Sequence, residues 1–276
     1  MLSRKRFLLA ALSLLCAGSL MAQNDFGVWT SVSAEKSFGK KFSIDAGVEN
    51  RLQDNATQPM RWDFGLGASY KVTKFLKLGA GYTFIHGRNT EEVKPRYKND
   101  GVTVNGYNVD HGFWRNKHRL YFDVTGKVTW GRFTFSLRER YLYTHYNEAE
   151  CLRDKYRTLV QDGYTGDTYI YNGTEFMEHE QTTDQKKAKD KHALRSRLQV
   201  EYNIKGLPLN PYASYEVTND LGNQLRYDKS RVCAGLEWKV TKKHILDFGY
   251  LYQTESDNDE GNSNIHAIKV GYTFKF

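Results

Sequence analysis

Beyond residue 22 the chain has no apolar run of the roughly 20 residues that a membrane-spanning helix needs. That excludes a helical membrane protein but not a barrel, in which only alternate residues meet lipid. Cysteine is scarce, at three residues. Export permits a disulfide between Cys151 and Cys233. The less favoured reading is that they pair, because Cys151 lies in a long polar segment and Cys233 in mid-strand. No Gly-x-Ser-x-Gly nucleophile motif occurs, and the histidines lack zinc-site spacing. The formal charge of +8 is accompanied by no nucleic-acid-binding motif, so no nucleic-acid partner is expected.

What the chain does have is alternation. From Arg61 to Val72 one parity reads Trp62, Phe64, Leu66, Ala68, Tyr70 and Val72, and the other Arg61, Asp63, Gly65, Gly67, Ser69 and Lys71. A period of two marks a strand with one apolar and one polar face. After a turn at Thr73 and Lys74 the pattern resumes through Leu78, Tyr82 and Phe84. Further strands read Phe26 to Glu35, Phe42 to Leu52, Lys117 to Val128, Phe133 to Thr144, Leu194 to Ile204, Tyr212 to Thr218 and Arg231 to Val240, with Leu246 to Tyr252 and the closing segment. Aromatics form 14% of residues while the mean hydropathy is −0.68, the combination a lipid-facing barrel with aromatic girdles requires.

The two ends of the chain support export and membrane assembly. Arg4, Lys5 and Arg6 precede an apolar run from Phe7 to Leu20 and a small-residue cleavage site at Met21 and Ala22. Residues 1–22 therefore read as a cleaved signal peptide and 23–276 as the barrel. Cys16 follows the bulky Leu15, which disfavours lipidation. The final segment alternates Ile268, Val270, Tyr272, Phe274 and Phe276 against polar residues. Its Lys269, Gly271, Phe274 and Phe276 resemble the terminal signal read by the outer-membrane assembly machinery. The expected location is the bacterial outer membrane, with its lipid as surroundings.

Short turns alternate with long connections, the latter including His86 to Phe113 and Tyr146 to Lys191, where Tyr169 to Tyr171 looks strand-like. Short periplasmic turns and long external loops are the barrel rule. The visible strands number eleven, whereas bacterial single-chain barrels have even numbers. The expectation is therefore an all-β, transmembrane, antiparallel up-and-down barrel of about 12 strands, with 10 the next choice.

Asp25-Phe26-Gly27-Val28-Trp29-Thr30-Ser31, Glu49-Asn50-Arg51, Arg119-Leu120-Tyr121 and Tyr212-Ala213-Ser214-Tyr215-Glu216 resemble an exported barrel family catalogued as domain of unknown function 2490. The resemblance covers nearly all of the chain after the signal. It implies an outer-membrane location and brings no activity and no catalytic residues.

The candidate site is the polar strand face. Arg51, Arg61, Arg119, Arg138, Arg140, Arg195, Arg197 and Arg231 fall there, with Glu201 and Glu216 among the acids. Rings of arginine select anions, which suits a passive channel or solute-binding barrel for a small anionic solute. The near balance of arginines and acids suits instead a lumen zipped by ion pairs, a plugged structural or loop-presenting barrel. An outer-membrane lipid hydrolase is the third reading. No catalytic residue, metal or cofactor is expected; the acidic Glu255 to Asn262 loop matches a calcium site poorly. Glu139 shares the parity of lipid-facing residues, so a bulge turning it inward or a place in the headgroups is expected.

Overall fold

A computed structural model describes residues 25–256 and 264–276. The expected signal peptide and most of the acidic loop after Glu255 lie outside the described residues. The strands are β1 (Asp25–Phe38), β2 (Phe42–Gln53), β3 (Gln58–Lys71), β4 (Leu76–Asn89), β5 (Glu92–Tyr97), β6 (Val104–Asp110), β7 (Phe113–Trp130), β8 (Phe133–Tyr146), β9 (Ala149–Leu159), β10 (Tyr169–Tyr171), β11 (Thr174–Lys186), β12 (Lys189–Tyr202), β13 (Leu209–Asp220), β14 (Arg226–Lys239), β15 (His244–Glu255) and β16 (Asn264–Lys275).

Among the described residues, eleven strands close a barrel in the order β1-β16-β15-β14-β13-β12-β8-β7-β4-β3-β2. This corrects the expectation of twelve. Antiparallel neighbours alternate in direction, so an odd ring must contain one parallel pair. Here it is β1 with β16, in register from Asp25 opposite Ile265 to Glu35 opposite Lys275. The first strand is thus a full wall member, hydrogen-bonded on its other side to β2. The closing strand pairs with both β15 and β1, so no sheet edge remains in the wall.

The alternation sorts the side chains as the sequence implies. Leu66, Phe122, Leu137, Leu198, Tyr215, Val232 and Phe248 are exposed on the outer face. Tyr70, Trp130, Phe133 and Trp238 are exposed at the short-turn end, forming an aromatic girdle. Towards the other end, three outward tyrosines each meet a histidine: Tyr82 with His118 at 2.6 Å, Tyr141 with His192 at 2.7 Å, and Tyr250 with His266. Glu139 also stays outward. β8 runs in unbroken register with β7 and β12, so no bulge turns the side chain in. It accepts a 2.6 Å hydrogen bond from Ser196, its cross-strand neighbour. Half-way along its strand, it lies well away from the headgroup ends. A donor beside it is what makes a carboxylate tolerable there.

The two long connections do not remain loops. They build one five-stranded sheet, β10-β11-β9-β6-β5, above the barrel wall formed by β4, β7, β8 and β12. Tyr169 to Tyr171 is indeed a strand of it. Each of the four wall strands breaks for two residues before continuing into this outer sheet: 90–91, 111–112, 147–148 and 187–188. Arg115 ties two of the breaks, donating from Nε to the Asn147 carbonyl at 2.7 Å and from Nη2 to the Lys187 carbonyl at 2.5 Å. The edge strand β5 carries Lys94, Pro95 and Arg96, which discourage further strand pairing. Cys151 lies buried in β9 and Cys233 buried in β14; both are free thiols.

Candidate functional site

The lumen is lined by the polar parity of every wall strand. On the β8–β12 wall, Arg138 stands directly opposite Arg197 and Arg140 opposite Arg195. Like charges directly opposite are destabilising in a sheet, so this patch of four guanidiniums needs compensation. Glu216 on β13 supplies most of it. Its carboxylate lies 3.3 Å from Arg138, 3.5 Å from Arg195 and 3.2 Å from Arg231. Asp123 takes both Nε and Nη2 of Arg140, at 3.0 and 2.5 Å. Arg197 donates to the neutral Gln199. Four arginines, Arg138, Arg140, Arg195 and Arg231, thus lean on two carboxylates. Arg138 Nε and Arg195 Nε are buried without a hydrogen-bond partner.

On the opposite wall the pairing is closer to balance. Arg51 contacts Glu49 at 2.6 Å, and Arg61 takes Asp63 through Nε and Nη2 at 2.6 and 2.8 Å. Trp29 on β1 orders this side. The Arg51 guanidinium stacks 4.0 Å from its ring and that of Arg231 at 5.2 Å, a favourable cation–π geometry. Beneath Trp29 a small apolar cluster of Cys233, Leu251, Ile265 and Ala267 faces the lumen beside the parallel seam.

Two tyrosines lie flat against glycines of neighbouring strands. Tyr121 is in register with Gly81, and Gly81 with Gly67; a Cβ on either glycine would strike Tyr121. Tyr212 lies over Gly235 and Gly249 in the same three-strand row. Gly67, Gly81, Gly235 and Gly249 are thus cradles for flat aromatic rings. Arg140 stacks 4.0 Å from the Tyr121 ring. Tyr212 donates to Asp247 at 3.1 Å. Asp45, Tyr121 and Arg140 form a layer that borders two cavities. One of about 280 Å³ is lined by Arg51, Arg61, Arg119, Arg195 and Arg231, and the other of about 210 Å³ by Arg138, Arg140 and Arg197.

The structure therefore brings all eight predicted arginines and Glu216 to one stretch of lumen. It leaves Glu201 out: that carboxylate lies at the short-turn end, accepting from Asn210 at 2.9 Å. Lys269 and Gly271 lie on the lumenal parity of β16, where Lys269 meets Asp247 at 2.8 Å, and Phe274 packs against Phe276 with ring centres 4.7 Å apart. Sequence reasoning missed Tyr121 and Tyr212. Their signal was a tyrosine on the polar parity, opposite glycines of the same parity on the next strands.

Asp110, Cys151 and Asp184 cluster in the outer sheet with metal-ligand spacing. The cluster already holds its own cations. Arg153 donates from Nε and Nη2 to Asp110, and Lys186 Nζ lies 2.5 Å from Asp110 and 3.0 Å from Asp184. Burial would push the Asp110 carboxyl up, but the hydrogen bonds and charges of Arg153 and Lys186 outweigh it and hold the group well below the usual range.

A closed, lipid-faced β-barrel with a polar lumen defines the class: a transmembrane β-barrel. The family profile described as a protein of unknown function, DUF2490, matches residues 26–264, and the chain belongs to that family. Similar solved structures include the toluene transporter TbuX of Ralstonia pickettii, 12% identical, with a TM-score of 0.39 over 79% of this chain and 67% of that one. They also include the CymD monoaromatic hydrocarbon channel, 9% identical, with a TM-score of 0.35 over 86% of this chain and 85% of that one. No curated protein matches the chain.

Proposed function

We propose that the protein resides in the bacterial outer membrane and serves as a narrow passive channel or solute-binding barrel for small anionic solutes. The observation that carries this reading is the arginine wall of β8 and β12. Two like-charged cross-strand pairs, Arg138 with Arg197 and Arg140 with Arg195, sit side by side where Glu216 is already shared by three guanidiniums. Neutral residues would stabilise the wall better. Guanidinium offers a planar fork that fits carboxylate and phosphate oxygens, and a low-dielectric wall strengthens that attraction. The polar cavity of about 280 Å³ limits the solute to a small one.

Export by the leader and insertion through Lys269, Gly271, Phe274 and Phe276 by the outer-membrane assembly machinery belong to the same proposal. In planar bilayers the folded protein is expected to conduct with a reversal potential favouring anions. Replacing Arg195 and Arg197 by glutamine should shift that potential toward zero. Complete silence from verified folded protein removes the channel arm, and absence of anion binding to that protein removes the rest.

A second reading has its own observation. The Tyr121–Arg140 layer separates the cavities, and the outer sheet offers a built surface, as a plugged, partner-presenting barrel would. In that case deleting 149–186 abolishes a surface interaction while lumen substitutions change only stability. The lipid-hydrolase reading ranks below both. The outward His118, His192 and His266 engage tyrosine hydroxyls through Nδ1, and the outward Ser196 is bonded to Glu139. Fatty-acid release from outer-membrane lipid by folded protein would revive it.

A further inference from the structure

The short turns of the barrel carry charge of one sign. They are residues 39–41, 72–75, 131–132, 203–208 and 240–243. The first holds Lys40 and Lys41, the second Lys74 and the third Arg132. The fourth holds Lys205, and the fifth Lys242 and Lys243. None contains an aspartate or glutamate. All these cations are exposed. The ion pairs at this end use other lysines, Lys239 with Glu237 and Lys275 with Glu35. In the order of the strands round the ring, the five turns spread over the whole rim. At the opposite end the wall turns 54–57 and 221–225 hold no lysine or arginine.

A second observation fixes the level of these cations. Every short turn is flanked by a large apolar side chain exposed at the same rim: Phe38, Phe75, Trp130, Leu207 and Trp238 in turn order. Lys74 Nζ lies 4.8 Å from the centre of the Phe75 ring, and Lys41 Nζ 5.9 Å from that of Tyr70. The lysine stems thus run along apolar surface and carry the ammonium beyond it. An aromatic belt sits at the membrane–water interface, so charges just beyond it meet the lipid headgroups. A soluble acidic partner would match the charge but not the apolar side chains between the cations. A zwitterionic leaflet would match the apolar side chains but not the single sign of charge. An anionic leaflet matches both, because its surface potential attracts lysine and arginine held close to it.

We infer that the short-turn rim is a collar for anionic phospholipid, gathering headgroups of the phosphatidylglycerol class against its lysines and Arg132. The inference rests on the membrane placement proposed above and adds which lipid the barrel selects. Conduction plays no part in it. The turns themselves do not need the lysine side chains. Thr73 Oγ1 accepts from the amides of Phe75 and Leu76, and Thr241 Oγ1 from those of Lys243 and His244.

The test uses the full-length barrel folded in nanodiscs of phosphatidylcholine mixed with an equal amount of phosphatidylglycerol. Lipid retained on the barrel, read by native mass spectrometry, should be enriched about fivefold in phosphatidylglycerol over the bulk ratio. Assembling the discs in about 1 M salt, where the Debye length is about 3 Å, should abolish the enrichment. Lys40→Gln, Lys41→Gln, Lys74→Gln, Lys242→Gln and Lys243→Gln combined should bring the retained lipid near the bulk ratio, with heat-modifiable mobility unchanged. Should that variant misfold, Lys74→Gln with Lys242→Gln should still lower the enrichment. Arg96→Gln with Lys98→Gln, at the outer-sheet end, should leave it intact. Bulk-ratio lipid on the unaltered barrel, or undiminished enrichment on the folded rim variants, would overturn the proposal. Loss in the outer-sheet variant but not in the rim variants would place the lipid at the other end and overturn it too. So would displacement of the phosphatidylglycerol by inorganic phosphate at equal ionic strength, since the rim would then be taking free phosphate. Cell fractionation and bilayer conductance are separate measurements, so the proposed location or channel can fail while this collar stands.

Discussion

In the outer sheet, Asp110 and Asp184 meet Arg153 and Lys186; in the lumen, one carboxylate, Glu216, meets Arg138, Arg195 and Arg231. The residue types are the same and the balance is not. The outer network gives each acid close cations: Arg153 and Lys186 each contact both Asp110 and Asp184, Lys94 lies 3.8 Å from Asp110, and hydrogen bonds use both Asp110 oxygens. Such a network fixes strand pairing between β6, β9 and β11. The lumenal network leaves guanidinium over, against sheet stability, on a wall that borders two cavities. A well-paired network reads as support, and an unbalanced one as a site.

The largest expected effect comes from removing the shared acid. Glu216→Gln leaves three guanidiniums without their common partner, and breaking a buried network of this kind costs about 3–5 kcal/mol. Heat-modifiable gel mobility should reveal the loss, while bilayer measurements should show stronger anion preference. A stable variant of unchanged selectivity would erase the distinction between the two networks.

Asp110→Asn tests the other side. Its cost, about 3 kcal/mol for a buried charge partner, should be confined to the outer sheet. Hydrogen exchange should quicken in β6, β9 and β11 and stay slow in the barrel, with conductance unaltered. A shift in selectivity would show that the two networks act as one.

Acid should separate them further. The Asp110 carboxyl is held below its ordinary value, so its contribution to stability is complete above about pH 4 and is lost as pH falls through the lower folded value. Exchange protection of the outer sheet should therefore be flat from neutral pH to about pH 4 and fall only below it. Loss of protection already at near-neutral pH would show that Asp110 does not govern the acid stability of this sheet.

The smallest effect concerns a single carboxylate outside both networks. Charges on the lipid face of a barrel cost up to about 2–4 kcal/mol at the midplane, and acids less. Glu139→Leu should raise unfolding stability in lipid vesicles by about 1–2 kcal/mol. A destabilised variant would show that the bond from Ser196 gives more than the carboxylate costs.

Much of this was legible in the residues. Alternation at Arg61 to Phe84 located strands, faces and turns, because period two is a local property. The eight arginines could be placed on the polar face by counting parity. Parity could not say which arginines meet. Arg138 finds Arg197 because β8 pairs with β12, across a segment of more than forty residues, and Glu201 shares the parity yet lies a barrel end away. The same limit hid the outer sheet: β6 pairs with β9, and no periodicity links two loops so far apart. Glu139 was misplaced because burial cost was weighed without its cross-strand serine.

The amino-acid sequence by itself determined that this chain forms a barrel with an apolar outside and an arginine-bearing inside, since alternation and charge are written residue by residue. Only the tertiary structure decided that eleven strands close through a parallel β1–β16 pair, and that four arginines share two acids. Ring closure and cross-strand register are relations between distant segments, and backbone hydrogen bonding alone brings those segments together.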